Sequence, residues 1–317
     1  MTTSTTPDTF TSPASDAGIG LDVGIGLREA YAEVGDVELH YVEAGDGPLV
    51  VLLHGFPEFW YGWRQQIAPL VKAGFRVVAP DLRGYNLSSG PDGFASYTAD
   101  KVAGDIRGLI RELGAESAMV VGHDWGGSVA WTLAMNHPEV VDRLVILNAA
   151  HPRKLNEGLH SPRQLLRSWY FFYFQFPGLP ERRARRRHWR FFKRFLRDAR
   201  PPYTAEELDR YVEAWSQPGA ATAMIDYYRA AVRLGSKQEL RPVAAPTLVI
   251  WGQGDRYLGP KLAEPRYEDV PNLDRVERLP DASHWVHHDE AERVNELLVD
   301  FLASGGGSHD GRYDVAA

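Results

Sequence analysis

Residues 120–128 read Val120-Val121-Gly122-His123-Asp124-Trp125-Gly126-Gly127-Ser128. An apolar run stops at a stretch where glycines flank one acidic side chain, and a small-residue segment suited to a helix follows. Glycines at 122, 126 and 127 leave out the Cβ atoms that would hold strand, turn and helix apart. This is the chemistry of a nucleophile elbow, a sharp strand-to-helix turn that projects its central side chain. The central residue of that turn is serine in the G-x-S-x-G form, but here it is Asp124. A carboxylate, with a reference pKa of about 4, is ionised at neutral pH and attacks without first losing a proton.

Outward from the elbow, ELHYVEAG, PLVVLLHG, RVVAPDLRG, SAMVVGHD and RLVILNAA read as strands. Runs of Val, Ile and Leu of this kind belong to a mostly parallel sheet buried on both faces. Between them, YGWRQQIAPLVKAGF and ADKVAGDIRGLIRELG are amphipathic helices. The alternation breaks after His151. Until about Leu240 the chain is helical and aromatic, punctuated by Pro177, Pro180, Pro201 and Pro202. It then resumes with PTLVIWGQGD, a helix from about Gly259, VERLPDASHW and the closing helix AERVNELLVDFLA. The expectation is an α/β fold, helices flanking the sheet, with a helical cap inserted between the sixth and seventh principal strands. The core would take 28–151 and 240–304 and the cap 152–239, with disordered segments at 1–27 and 305–317.

The chain has 317 residues, 44% hydrophobic and 24% charged, enough to bury a large core without staples. It has no cysteine, which excludes disulfides, thiolate catalysis and cysteine-based zinc sites. The opening Met1–Gly20, rich in Ser, Thr, Pro and Gly, has neither the basic start nor the apolar stretch of a signal peptide. No apolar run reaches the length of a transmembrane segment. The expectation is a soluble, cytoplasmic protein. Net charge is −7, yet residues 181–200 hold ten Lys/Arg against two acids. This basic stretch reads as one helix with a charged outer face, packing Trp189, Phe192, Phe195 and Leu196 inward. An acidic chain with one basic segment is not expected to bind nucleic acid.

Three polar residues each sit just past a strand: Asp124 after SAMVVGH, Asp255 after TLVIWGQG and His284 after RVERLPDAS. Nucleophile, acid, histidine is the chain order of an α/β-hydrolase triad. In that fold the loop after the PLVVLL strand supplies one oxyanion-hole N–H and the residue after the nucleophile supplies the other. Here these are the backbone amides of Phe56 and Trp125. His287 and His288 lie close to His284, but the triad accounts for His284 and no metal is expected. His54 and His123 read as structural hydrogen-bonding residues, Asp81 and Arg83 as loop braces. Asp289 and Glu290 read as first-turn acids of the last helix.

The strings HGFPEFWYGWR, PDLRGYNLSS, GHDWGGSVAW, LNAAHP and DASHWVHHDE, in this order, resemble epoxide hydrolases of the α/β-hydrolase fold, in the aspartate-nucleophile branch. The similarity runs from about Arg28 to Ser304. It implies hydrolysis of an epoxide to a vicinal diol through an alkyl ester on Asp124, cleared by water that His284 activates while Asp255 orients it. It also implies two cap tyrosines that hold and protonate the epoxide oxygen. Tyr170, in SWYFFYFQFPGLPE, and Tyr228, in IDYYRAA, match those positions. Tyr173, Tyr203, Tyr211 and Tyr227 are neighbours that read as packing or solvent-facing residues. No cofactor is implied. Two spellings depart from the commonest pattern, Ser283 before the histidine and Ala291 at the start of the last helix.

The substrate expected from the aromatics around Trp169 is an apolar epoxide, contacted by Phe56, Trp125, Trp169, Tyr170, Tyr228 and Trp285. Water is the second reactant, and a homodimer is left open. A haloalkane or haloacid dehalogenase would use the same aspartate and is the alternative. Phe56 stands where haloalkane dehalogenases carry Asn or Glu, and Trp125 where fluoroacetate dehalogenases tend to carry Arg. A non-catalytic ligand-binding protein on the same scaffold is the lesser alternative.

Overall fold

Strand-forming Val, Leu and Ile runs supply one mixed sheet at the centre of the computed structural model, which describes residues 24–235 and 240–304. The strands are β1 (Arg28–Val34), β2 (Val37–Ala44), β3 (Leu49–Leu53), β4 (Arg76–Pro80), β5 (Ala118–His123), β6 (Val141–Leu147), β7 (Thr247–Gly252) and β8 (Leu273–Leu279). Their order in the sheet is β1-β2-β4-β3-β5-β6-β7-β8. β1 and β2 form an antiparallel hairpin, β2 runs antiparallel to β4, and the remaining pairs are parallel. β3 and β7 are buried at every position, as parallel strands covered on both faces must be. β1 is an edge strand absent from the five apolar strings, because solvent reaches most of its residues.

Helices α1 (Arg64–Lys72), α2 (Ala99–Glu112) and α3 (Asp124–Asn136) alternate with β3 to β6. After β6 come α4 (Pro152–Leu159), α5 (Pro162–Arg167), α6 (Trp169–Tyr173), α7 (Leu179–Arg185), α8 (Arg190–Leu196), α9 (Ala205–Ser216) and α10 (Ala220–Leu234). These helices fill the interval between β6 and β7, the sixth and seventh strands. Two helices end the described residues, the short α11 (Val286–Asp289) and the longer α12 (Ala291–Ala303). No helix among the described residues is long and apolar enough to cross a membrane.

Three expectations need correction. The basic stretch is not one helix: Arg187, His188 and Trp189 have φ of 52°, 53° and 57°, which ends α7 and restarts the chain as α8. Its apolar side chains still face inward, with Phe192 and Leu196 almost fully buried. The helix from about Gly259 is a single 3-10 turn, Pro260–Leu262. Asp289 does not open the last helix. It ends α11, and its carboxylate accepts hydrogen bonds from the amides of Ser283 at 2.6 Å and Arg200 at 2.6 Å. The segments 1–23 and 305–317, within those expected to be disordered, lie outside the described residues.

Candidate active site

Asp124 is placed by the turn between β5 and α3. Its φ is 50°, in the left-handed region that L-residues avoid. The glycines make that turn sterically feasible. A Cβ on Gly126 would lie 2.1 Å from the Leu53 carbonyl oxygen, one on Gly122 2.5 Å from the Gly126 oxygen, and one on Gly55 2.4 Å from the Asp124 Cβ. Asp124 Oδ1 accepts the backbone N–H of Phe56 at 2.9 Å. Asp124 Oδ2 lies 3.4 Å from His284 Nε2.

His284 sits in the loop after β8, and its Nδ1 is 2.7 Å from Asp255 Oδ2. Asp255 follows β7 and is buried among donors. Its Oδ1 accepts the amides of Tyr257 at 2.6 Å and Leu258 at 2.9 Å, and its Oδ2 accepts Asn148 Nδ2 at 2.7 Å. These bonds fix which oxygen faces the imidazole. Burial alone would lower the His284 pKa, but Asp255 and then Asp124 outweigh it and hold the ring at about 10. Burial would likewise raise Asp124, and the His284 contact keeps it below the usual carboxylate value.

Phe56, Asp124, Tyr170, Phe195, Tyr228, Tyr257, His284 and Trp285 surround one narrow pocket. The rings of Tyr170 and Tyr228 meet edge to face at 5.5 Å. Burial, and after it the charge of Asp124, pushes both phenols well above their ordinary pKa, so both hydroxyls are kept protonated. The pocket volume is about 10 Å³, room for roughly one water.

Two expected contacts fall elsewhere. Trp169 is half exposed and faces an outer cleft. The Trp125 ring packs against cap residues, edge-on to Tyr228 at 5.1 Å and Tyr227 at 5.6 Å, and its side chain hydrogen-bonds Tyr228 instead of lining the pocket itself. Tyr227 donates its hydroxyl to the Arg83 carbonyl at 3.0 Å. Reading along the chain gave Phe195 only as an inward-packing residue of the basic stretch and did not single out Tyr257, yet both line the pocket. The Tyr257 ring stands edge-on to His284 at 5.2 Å.

Beneath the pocket lies a buried polar group. Glu58 Oε2 faces His123 Nδ1 at 3.1 Å, and Oε1 accepts the hydroxyls of Tyr211 at 3.0 Å and Tyr203 at 3.4 Å. His123 Nε2 meets the His284 carbonyl at 2.9 Å, tying this group to the loop that presents the histidine. With His287, Glu58 and His123 could offer three metal-ligating atoms within 4.8 Å of one another. The same carboxylate is already accounted for by its hydrogen bonds from the tyrosines and His123. Tyr203 and Tyr211 are thus internal hydrogen-bond donors rather than packing residues alone.

Comparison with known proteins gives the family. Residues 48–291 match the family described as the alpha/beta hydrolase fold. The chain is 45% identical over 284 residues to the AB hydrolase superfamily protein YfhM of Bacillus subtilis, covering 87% of this chain and 98% of that protein. It is 36% identical over 299 residues to human epoxide hydrolase 4, covering 91% and 80% of the two chains. Its structure is similar to the crystal structure of Bacillus megaterium epoxide hydrolase in complex with an inhibitor, with a TM-score of 0.78 and 33% identity over 86% of this chain and all of that one. The chain belongs to the α/β-hydrolase fold family and, within it, to the epoxide hydrolases.

Proposed function

We propose that this chain opens an apolar epoxide to a vicinal diol in two steps, with Asp124 as nucleophile, His284 as base and Asp255 as its orienting partner. One observation carries the reading. The Asp124 carboxylate, held on one oxygen by the Phe56 amide and facing His284 with the other, shares its small pocket with Tyr170 and Tyr228.

In the first step an Asp124 oxygen attacks a saturated ring carbon and the carbon–oxygen bond breaks. Its electron pair passes to the epoxide oxygen, which takes a proton from Tyr170 or Tyr228. Before the second step the tyrosinate takes back a proton from His284, whose pKa has fallen with the loss of the Asp124 charge. In the second step water attacks the ester carbonyl and gives a proton to the now neutral His284. The amides of Phe56 and Trp125 meet the oxyanion that forms. The intermediate collapses by breaking the bond between the Asp124 carbonyl carbon and the alkyl oxygen. The departing alkoxide takes a proton from His284, and the carboxylic acid formed at Asp124 returns one to it. Diol, the Asp124 carboxylate and protonated His284 result. The charge balance supports this order. Alkylation turns Asp124 into a neutral ester and removes one of the two negative charges that raise His284. The histidine then becomes a base at the step that needs one. Phe56, Phe195 and Trp285 give the pocket apolar walls, which favours an apolar substrate.

The test is diol formation, read by mass spectrometry, from a panel of aryl and alkyl epoxides with wild type and Asp124→Ala. Diol is expected from wild type and not from the variant. His284→Gln is expected to gain the mass of one epoxide and stall. Turnover by Asp124→Ala, or His284→Gln running at the wild-type steady-state rate, would overturn the scheme.

A further inference from the structure

The cap carries a surface that the reaction does not use. Residues 181–200 hold ten Lys/Arg against two acids, in a chain whose net charge is −7. Both acids are shielded from solvent. Glu181 is buried and pairs with Arg229 at 2.7 Å, and Asp198 is shared by Arg256 at 3.0 Å and Arg197 at 3.5 Å. The arginines face outward: Arg182, Arg185, Arg186, Arg187 and Arg190 are exposed, and among the described residues none of the five meets a carboxylate. The left-handed residues 187–189 turn the chain between α7 and α8. That turn packs Trp189 inward, its Nε1 donating to Ser216 Oγ at 3.0 Å, and leaves the guanidinium groups outside. Beside them an apolar stripe runs along α5, α6 and the turn that follows. Leu166, Trp169, Phe172 and Phe176 are 77%, 50%, 53% and 56% exposed. Their spacing of three to four residues puts them on one side, while Gln164, Tyr170 and Phe174 are buried on the other. The Tyr173 ring lies 6.0 Å from Trp169 and 6.5 Å from Phe176, with the Arg183 guanidinium 5.6 Å above it, so stripe and basic patch are continuous.

The two halves of this surface ask for two features in one partner. Large apolar side chains held in water forfeit the gain of burial, and a contiguous patch of them marks an interaction site. Uncompensated cations attract an anionic surface. Duplex nucleic acid offers phosphates without an apolar phase. A bilayer offers both, phosphates at headgroup level and acyl chains beneath. Helical segments with Trp, Phe and Leu on one side and arginines beside them settle at that boundary, and each arginine near an anionic leaflet adds to the attraction. We propose that the cap docks reversibly on an anionic phospholipid membrane. Leu166, Trp169, Phe172 and Phe176 enter the boundary between headgroups and acyl chains, and the arginines of α7 and α8 meet the lipid phosphates. This is a peripheral contact, and it stands apart from epoxide hydrolysis.

The test is co-sedimentation of the full chain with vesicles of phosphatidylcholine alone and of phosphatidylcholine mixed with phosphatidylglycerol. Wild type is expected to pellet with the mixed vesicles, to stay in solution with the neutral ones, and to be released as salt is added. Arg185→Gln/Arg186→Gln/Arg190→Gln should weaken binding to the mixed vesicles by about tenfold or more. Leu166→Ser/Phe172→Ser keeps every charge and should weaken it by a similar factor. All five side chains are exposed, and unaltered thermal melting would verify that both variants fold. Equal binding to neutral and anionic vesicles, or binding to neither, overturns the proposal. Undiminished binding by the Leu166→Ser/Phe172→Ser variant would make the patch a general polyanion site and overturn it too. So would a duplex oligonucleotide that binds as tightly as the mixed vesicles, which would assign the surface to nucleic acid.

Discussion

Asp124 holds a left-handed backbone conformation that costs an L-residue on the order of 1 kcal/mol or more. The cost is borne because the turn points the carboxylate away from the sheet, between the Phe56 amide and His284. Those two carboxylates, Asp124 and Asp255, leave His284 charged in the resting protein, and this has a measurable consequence. Its raised pKa, about 10, stabilises the fold fully below the unfolded histidine value near 6.5, and that stabilisation is lost as pH rises through 10. In Asp124→Asn one of the two charges is gone, so the ring should titrate at lower pH. Imidazole resonances followed by NMR should show the His284 transition near pH 10 in wild type and clearly lower in the variant. An unchanged transition would mean that Asp124 does not control the histidine, and the two-step logic would lose its switch.

Between elements, Glu58 does the most joining. It stands in the loop after β3, takes hydrogen bonds from Tyr203 and from Tyr211 of α9, and faces His123 at the end of β5. Burial would raise its pKa, but His287 and His123 overcome this and hold the carboxyl well below the ordinary range. Removing an acceptor and leaving buried donors unpaired typically costs about 1–3 kcal/mol for each donor. Glu58→Ala should therefore lower the urea unfolding free energy by about 3 kcal/mol. It should also cut kcat, because His123 no longer braces the His284 carbonyl. A stability change under about 0.5 kcal/mol, typical of an unconnected surface site, would count against this role. This group also marks what the sequence leaves illegible. Asp124, Asp255 and His284 were readable because they follow the ends of three strands, by one, three and five residues, in the chain order of a triad. Glu58 with Tyr211, or Asn148 with Asp255, are partners only after folding, separated by 153 and 107 residues. The alternation of strands and helices announced the sheet and the insertion. The break at 187–189 carries no proline or glycine, so the pattern through that region reads as one helix. Trp169 was drawn toward the pocket by its aromatic neighbours, but its place in the first turn of α6 turns it outward while Tyr170 turns in.

At the scale of the whole molecule, acid stability is set by histidines folded in their neutral form. Burial lowers the pKa of both His151 and His287 to about 4, despite the nearby carboxylates of Asp269 and Glu58. The His151 ring packs edge-on against Trp131 at 5.2 Å, and neither of its nitrogens has a hydrogen-bond partner among the described residues. Between pH 6.5 and 4 the unfolded chain binds protons at these sites and the folded chain does not. Stability must then fall with falling pH, by up to about 1.4 kcal/mol per pH unit for each histidine. A second effect opposes this: the net charge approaches zero near the isoelectric point of about 5.9, which relieves repulsion among surface acids. Exposed charges are screened by solvent and salt, whereas the buried rings are not, so the histidines should win. The urea midpoint is expected to drop steadily from pH 6.5 to pH 4, and His151→Phe, which keeps the ring against Trp131 but cannot titrate, should make the drop shallower. A stability maximum at the isoelectric point, or a His151→Phe curve parallel to wild type, would show that surface repulsion rather than the buried histidines governs the acid limb.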